Sequence, residues 1–259
     1  MPFFIIDHVS HTYFTKDSTT TAVEDIHLEM EEGEFISFLG PSGCGKTTLL
    51  SIMAGLIEPT EGKIILNGKQ IKGATPAVGY MLQQDYLFPW KTIEENILIG
   101  LKLLNQLGEE QKKRTIQLLH DMGLKHVEKL YPNQLSGGMR QRAALVRTLS
   151  TNPKMLLLDE PFSALDFQTK LKLEDLVFSK IKEYQKTACL VTHDIGEAIA
   201  MSDRIVLLSR RPGKITKIFS VPEELRSLTP FKTRQHPKFH SLFELIWKEL
   251  EQHETKSNH

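Results

Sequence analysis

The chain has 259 residues, 40% hydrophobic and 25% charged, with 32 basic side chains balanced by 32 acidic ones. That length supports one substantial core with a subdomain, or two small domains, and the composition is that of a folded globular protein. The balance lacks the basic excess of a sequence-independent nucleic-acid binder, two cysteines cannot build a disulfide framework, and no window reaches the ~18 to 20 apolar residues of a membrane span.

Residues 1–7 carry no basic stretch ahead of a long apolar run, so no signal peptide is expected. Any service to a membrane then comes from the cytoplasmic side, through a partner. Phe3 to Tyr13 reads as a strand, and Ile26 to Met30 alternates apolar and polar up to the turn signal Glu31-Glu32-Gly33. Phe35 to Leu39 is a short apolar strand that runs directly into Gly40-Pro41-Ser42-Gly43-Cys44-Gly45-Lys46-Thr47-Thr48 and a helical run, Leu49 to Leu56.

Gly40 to Thr47 matches G-x-x-x-x-G-K-[ST] in the strand-then-helix setting that the motif needs. Glycines let backbone N–H groups turn inward around phosphate oxygens, and the helix start adds its positive dipole end. The Lys46 ammonium suits the β and γ phosphates; one such pair at ~4 Å and an effective dielectric of ~20 is worth about 4 kcal/mol before desolvation. The Thr47 hydroxyl suits Mg²⁺. A chance match in a chain this long is about a 1% event, so a loop that binds nothing is the poorer account. Cys44 occupies a free position of the loop, where backbone and not a side chain is needed.

Further strands are expected at Lys63 to Leu66 and Val78 to Leu82. From Thr92 to about Ser150 the period becomes helical, with Ile93, Ile97 and Leu101, then Ile116, Leu119 and Met122. Strands return at Met155 to Asp159, Ala188 to Thr192 and Arg204 to Ser209, each nearly all apolar. Such strands alternating with helices indicate a parallel sheet covered on both faces. Cys189 lies inside one of these runs and reads as a small core residue. The strand ending in Asp159-Glu160 places two carboxylates where Asp159 suits Mg²⁺ and Glu160 suits a general base for the attacking water. The tail carries one amphipathic stretch, Phe239 to Leu250.

Leu135-Ser136-Gly137-Gly138-Met139-Arg140-Gln141-Arg142 resembles the signature sequence of ABC ATPases. Gln83, Asp159-Glu160-Pro161, the run Ser163-Ala164-Leu165-Asp166, and His193 follow in that family's order, so that with the phosphate loop six motifs cover residues 3–215. The resemblance implies an α/β P-loop NTPase (RecA-like) core with a mainly parallel sheet, an N-terminal antiparallel β subdomain and an inserted helical signature subdomain. It divides the chain into an ATPase domain at 1–222, with core at about 1–90 and 151–222 and helices at about 91–150, and an extension at 223–259.

The resemblance also assigns roles. Two ATPase subunits would pair head to tail, each ATP lying between one Lys46 and the partner copy's Ser136, Gly137 and Gly138. Locally, those three residues also cap the helix that follows. Tyr13 would stack on adenine, although an aromatic ending a strand is also a common core residue, and Val23 would lie beside the base. Gln83, chosen over Gln84 because it stands six before Pro89, would contact Mg²⁺ and the attacking water. His193 would contact the γ-phosphate, and Asp166 would link the two sites of the dimer.

The implied activity is ATP hydrolysis coupled to transport, with ATP and Mg²⁺ as cofactors, by a subunit peripheral to the cytoplasmic face of a bacterial membrane. Its partners would be transmembrane permease subunits and, indirectly, an external solute-binding protein; no nucleic acid is expected. Leu87, Phe88, Pro89 and Trp90 either pack within the helical block or form a docking groove for a permease helix. Gln83 to Trp90 and Leu208 to Ile215 resemble importers of nitrate, sulfonate and taurine. Soluble ABC ATPases of DNA repair or translation remain the alternative; the interval from Lys46 to Ser136 holds no sustained heptads, and the chain has one cassette. A small-molecule kinase would have no use for Leu135–Arg142 or His193, and a degenerate binding subunit no use for Glu160.

Overall fold

The computed structural model describes residues 2–163 and 165–256, the side chains of the last four excepted; Ala164, within the run Ser163 to Asp166, and residues 257–259 lie outside the described residues. The chain opens with two long antiparallel strands, β1 (Phe4–Phe14) and β2 (Thr19–Met30), followed by β3 (Phe35–Leu39) and α1 (Lys46–Met53). Next come β4 (Glu61–Leu66), β5 (Lys69–Gln70) and β6 (Val78–Met81). A helical stretch holds α2 (Ile93–Leu103), α3 (Glu109–Asp121) and α4 (Gly137–Ser150). The α/β alternation then resumes with β7 (Met155–Asp159), α5 (Phe167–Glu183), β8 (Thr187–Thr192), α6 (Ile195–Met201) and β9 (Arg204–Leu208). The described chain ends with β10 (Ile215–Ser220), α7 (Glu223–Arg226), α8 (Pro230–Gln235) and α9 (Pro237–Lys256).

Two sheets result. One is four-stranded and antiparallel in the order β2-β1-β4-β5; the other is six-stranded in the order β10-β9-β3-β8-β7-β6. All pairings from β9 to β6 are parallel, and β10 adds an antiparallel edge. The central strands β3, β7 and β8 are buried along their whole length, as a sheet covered on both faces requires. One apolar cluster joins α2, α3, α4 and α5 to one face of this sheet. A second joins α1 and the antiparallel sheet to the opposite face, and a third packs α6, α7 and α9 beside β9 and β10.

Local chemistry explains most boundaries. Thr92 and Glu95 form a reciprocal capping box at the start of α2, and Ser136, Asp166 and Asp194 each accept a backbone N–H from the first turn of α4, α5 and α6. The helix expected to reach Leu56 stops at Met53. Gly55 there takes φ +71°, and a Cβ on it would stand 2.3 Å from the Gly73 carbonyl oxygen. Strand β10 was not expected. Only Phe219 among its residues is buried, so an edge strand half open to solvent carries little apolar signal.

The amphipathic stretch at 239–250 is a helix, and its apolar face is docked: Ile246 is fully buried in the third cluster while Leu245 is half exposed. Ile246→Ala is expected to lower unfolding free energy by about 2 to 5 kcal/mol, and Leu245→Ala by roughly 0.5 kcal/mol or less. Equilibrium denaturation of the two variants checks this, and equal losses would mean that α9 is not packed on that face.

Candidate nucleotide site

The carboxyl ends of β3, β7 and β8 lie level, because Leu39 pairs with Thr192 and Asp159 with Val191. The segments that follow these strands therefore meet at one edge of the sheet, the place where open parallel sheets bind ligands. A cleft of about 590 Å³ opens there, and Ser42, Gly45, Lys46 and Thr47 line it together with Gln83, Glu160 and His193.

The loop is shaped to receive an anion. Gly43 and Gly45 take φ +76° and +100°, and a Cβ on Gly45 would meet the Ala22 carbonyl oxygen at 2.5 Å. Gly45 also stands at the N-cap of α1, where it provides no side-chain cap, so the first N–H groups of that helix have no side-chain acceptor. Lys46 is only 6% exposed, and its ammonium is held by the Gly40 and Pro41 carbonyl oxygens at 2.7 and 2.9 Å. A buried cation held by carbonyl dipoles favours an anion beside it.

The carboxylate side is as specific. Asp159 is buried and accepts from the Thr47 and Tyr80 hydroxyls, each at 3.3 Å. Burial raises its pKa against those two hydrogen bonds, with Glu160 adding to the rise and Lys46 opposing it. Thr47, Asp159 and Gln83 each carry an oxygen of the kind that suits Mg²⁺, and the first two share a hydrogen bond. Glu160 has φ +43°, a strained conformation for a residue with a side chain, and its N–H is tied to the Val191 carbonyl at 2.9 Å. Its Oε2 accepts from Gln83 Nε2 at 3.3 Å and lies 3.2 Å from His193 Nδ1. Gln83, not Gln84, makes this contact.

Other expected residues fall in different places. Tyr13 and Thr48 line the cleft and share a 3.2 Å hydrogen bond between their hydroxyls. Val23 does not reach it: the side chain is fully buried behind Gly45, while Thr20 and Ala22 line the wall instead. Strand alternation is the reason, since Val23 points to the core face and its neighbours point away from it. Cys44 is buried, with its sulfur 3.8 Å from Lys46 Nζ, and burial raises its thiol pKa.

Ser136, Gly137, Gly138 and Asp166 do not line the cleft of their own chain; each belongs to the start of α4 or α5. Sequence reasoning missed Tyr80, Thr20, Ala22 and Arg211, the last of which donates to the Gly43 carbonyl at 3.2 Å. None of these carries a sequence signal of its own; they reach the site only because their strands or loops end beside it.

The family model described as ABC transporter matches residues 23–163, over half of the chain. The chain is 64% identical over 250 residues to the uncharacterized ABC transporter ATP-binding protein YtlC of Bacillus subtilis, covering 96% of both chains. It is 43% identical to the aliphatic sulfonates import ATP-binding protein SsuB of Bacillus licheniformis, covering 96% of this chain and 95% of that one. It is 38% identical to the taurine import ATP-binding protein TauB of Roseobacter denitrificans, covering 87% of each. Among solved structures, the dimeric post-hydrolysis state of the ATP-binding cassette MJ0796 bound to ADP and Pi superposes with a TM-score of 0.74 at 31% identity. It covers 85% of this chain and 99% of that one. The chain belongs to the ABC transporter family and is an ATP-binding, ATP-hydrolysing subunit of it.

Lys46→Ala is expected to weaken ATP binding at least tenfold, since it removes a full charge from the phosphate position. Isothermal titration with ATP checks this; an unchanged dissociation constant would remove Lys46 from the phosphate role.

Proposed function

We propose that this ABC subunit grips Mg²⁺-ATP between two ATPase chains and hydrolyses it to drive solute import through a permease at the cytoplasmic face of a bacterial membrane. The single observation that carries the reading is the convergence of Gln83 and His193 on Glu160 across a cleft from Lys46, with the signature serine outside that cleft. The cleft is thus complete on its loop side and open on the other, and the ADP-bound relative MJ0796 is described as a dimer.

In this reading, residues Gly40 to Thr48 wrap the phosphates with backbone N–H groups and the Lys46 ammonium. Tyr13 stacks on adenine, with Thr20 and Ala22 taking the place beside the base that Val23 was expected to fill. Thr47, Asp159 and Gln83 would hold Mg²⁺, which supplies charge neutralisation on the β and γ phosphate oxygens. Glu160 accepts a proton from the attacking water while Gln83 fixes that water's position. His193 reaches the γ-phosphate, and Ser136, Gly137 and Gly138 of the second chain close the site with another helix N-terminus. Asp166, exposed at the start of α5, faces the second site. Losing the γ-phosphate removes the cross-chain contacts and releases the closed state, a two-state shift by differential affinity.

Coupling would run through residues 83–90. Leu87 is buried inside the helical block, whereas Trp90 is 71% exposed and Tyr86 is exposed beside it, so the apolar surface faces outward. Arg147 donates to the Asp85 and Tyr86 carbonyls at 2.7 Å, and Arg140 pairs with Asp85 at 2.9 Å. Both arginines stand on α4, Arg140 within the signature and Arg147 just after it, so a permease helix on this surface would sense closure at Ser136. No described helix is long and apolar enough to cross a membrane, and a permease would supply the passage. The division into core, helical insertion and extension given above is adopted here. The names of SsuB and TauB support a small sulfonate-like cargo. None of the relatives described above is named for DNA repair or translation.

Glu160→Gln is expected to bind ATP, to turn over about a hundredfold more slowly or worse, and to accumulate as a dimer on size-exclusion chromatography with ATP. A variant that stays monomeric under those conditions would sink the shared-site reading. Ser136→Arg is expected to block hydrolysis while a single subunit's ATP affinity stays within about twofold, because the signature touches only the second chain's nucleotide. Parallel loss of both would return the signature to its own cleft.

A further inference from the structure

His193 stands between β8 and α6, and the residues on each side of it are pinned by an ionic cluster that takes no part in holding nucleotide. The Thr192 hydroxyl donates to Glu197 Oε2 at 2.5 Å and accepts the Asp194 N–H at 3.0 Å. Asp194 Oδ1 in turn accepts the Glu197 N–H at 3.1 Å. Lys170 of α5 closes the cluster: its ammonium lies 2.6 Å from Asp194 Oδ2 and 2.5 Å from Glu197 Oε1. Burial opposes the Lys170 charge, but the two carboxylates outweigh it and hold the pKa above the usual lysine value.

A second layer stands behind the first. Glu174, one turn further along α5, is 0% exposed, and Arg234 Nη1 of α8 lies 2.6 Å from its Oε2. Arg234 supplies the opposite charge nearest this carboxylate. Burial pushes Glu174 up to about 7, Arg234 opposes that, and Glu197 and Lys170 act on it in opposite directions. Three carboxylates and two cations thus form one connected set, with Glu174 and Glu197 buried and Asp194 partly open to solvent. Its members come from α5, from the start of α6 and from the C-terminal segment.

We propose that Lys170, with Arg234 behind it, is a positioning residue that fixes the His193 backbone so that the imidazole meets the γ-phosphate beside Glu160. The inference rests on the role given to His193 above. Without Lys170, Asp194 and Glu197 stand one turn apart as like charges that have lost their shared cation, and the His193 loop must move to relieve them. A shift of about 1 Å at a catalytic group costs up to about a hundredfold in rate. The same lysine stands one turn into α5, whose cap is Asp166, so the loop expected to link the two sites and the switch histidine share one rigid helix. The C-terminal segment, through Arg234, becomes part of the hydrolytic apparatus and not an appendage to it.

The test is steady-state phosphate release by the full-length chain. Lys170→Met is expected to lower kcat about tenfold with the ATP KM within about twofold, and Lys170→Arg to recover kcat to within about threefold. Arg234→Met is expected to show the same split, about threefold in kcat. If Lys170→Met melts lower yet keeps kcat within twofold, or if Lys170→Arg is as slow as Lys170→Met, the positioning role is overturned. Unchanged kcat in Arg234→Met removes the C-terminal segment from it. Should Lys170→Met fail to fold, Thr192→Val, which deletes one hydroxyl from the same cluster, carries the test with the same expected split. His193→Ala measured alongside separates the two levels. Wild-type turnover there defeats the role of His193 itself, whereas slow His193→Ala with fast Lys170→Met defeats this inference alone.

Discussion

The parallel register of β3, β7 and β8 is the constraint from which the site follows. Backbone hydrogen bonds hold Leu39 level with Thr192 and Asp159 level with Val191. Three segments far apart in sequence therefore leave the sheet at one edge: the phosphate loop, the acidic pair and the histidine. A slip of one residue between any two strands would turn their side chains to opposite faces and displace these groups along the strands by about 3.3 Å. All three strands are buried along their whole length, so such a slip would disrupt packing on both faces of the sheet.

Within that frame the site stores unsatisfied electrostatics. Lys46 is buried against carbonyl dipoles, Asp159 is raised by burial, and Glu160 is held in a left-handed conformation by its N–H bond to Val191. A buried cation, a buried carboxylate and a left-handed backbone each carry a cost in isolation. The geometry of the cleft suits an anion beside Lys46. Ligand binding relieves a cost already present in the fold, and it need not create every contact anew.

In the proposed reading, the helical stretch joins this chemistry to a permease. α4 begins at the signature and carries Arg140 and Arg147, which hold the 83–90 segment by its backbone and by Asp85. Asn96 of α2 fixes the same segment from the other side, accepting the Phe88 N–H and donating to the Phe88, Lys91 and Thr92 carbonyls. The outward-facing aromatic surface and the signature are therefore parts of one rigid piece. Gln83 at the start of that segment touches Glu160, so the hydrolytic centre and the outer surface are one short stretch of chain apart.

The sequence by itself determined the phosphate loop, the acidic strand end, the signature and the order in which they occur. These depend on residue types at fixed local spacing: glycines where φ must be positive, apolar runs where both faces are buried, a serine at a helix start. It also determined nearly every strand and helix of the core, since burial on two faces or one stripe leaves a period to read. Tertiary structure alone decided what long-range contacts fix. Val23 turned inward while Thr20 and Ala22 lined the cleft, because the phase of β2 is set by its pairing with β1. Tyr80 became a partner of Asp159 because β6 lies beside β7. Trp90 faced solvent while Leu87 was buried, and β10 formed as a half-exposed edge with little apolar pattern. The cluster of Lys170, Glu174, Asp194, Glu197 and Arg234 exists only where three helices meet, and no local pattern announces charges that pair across such distances in the chain.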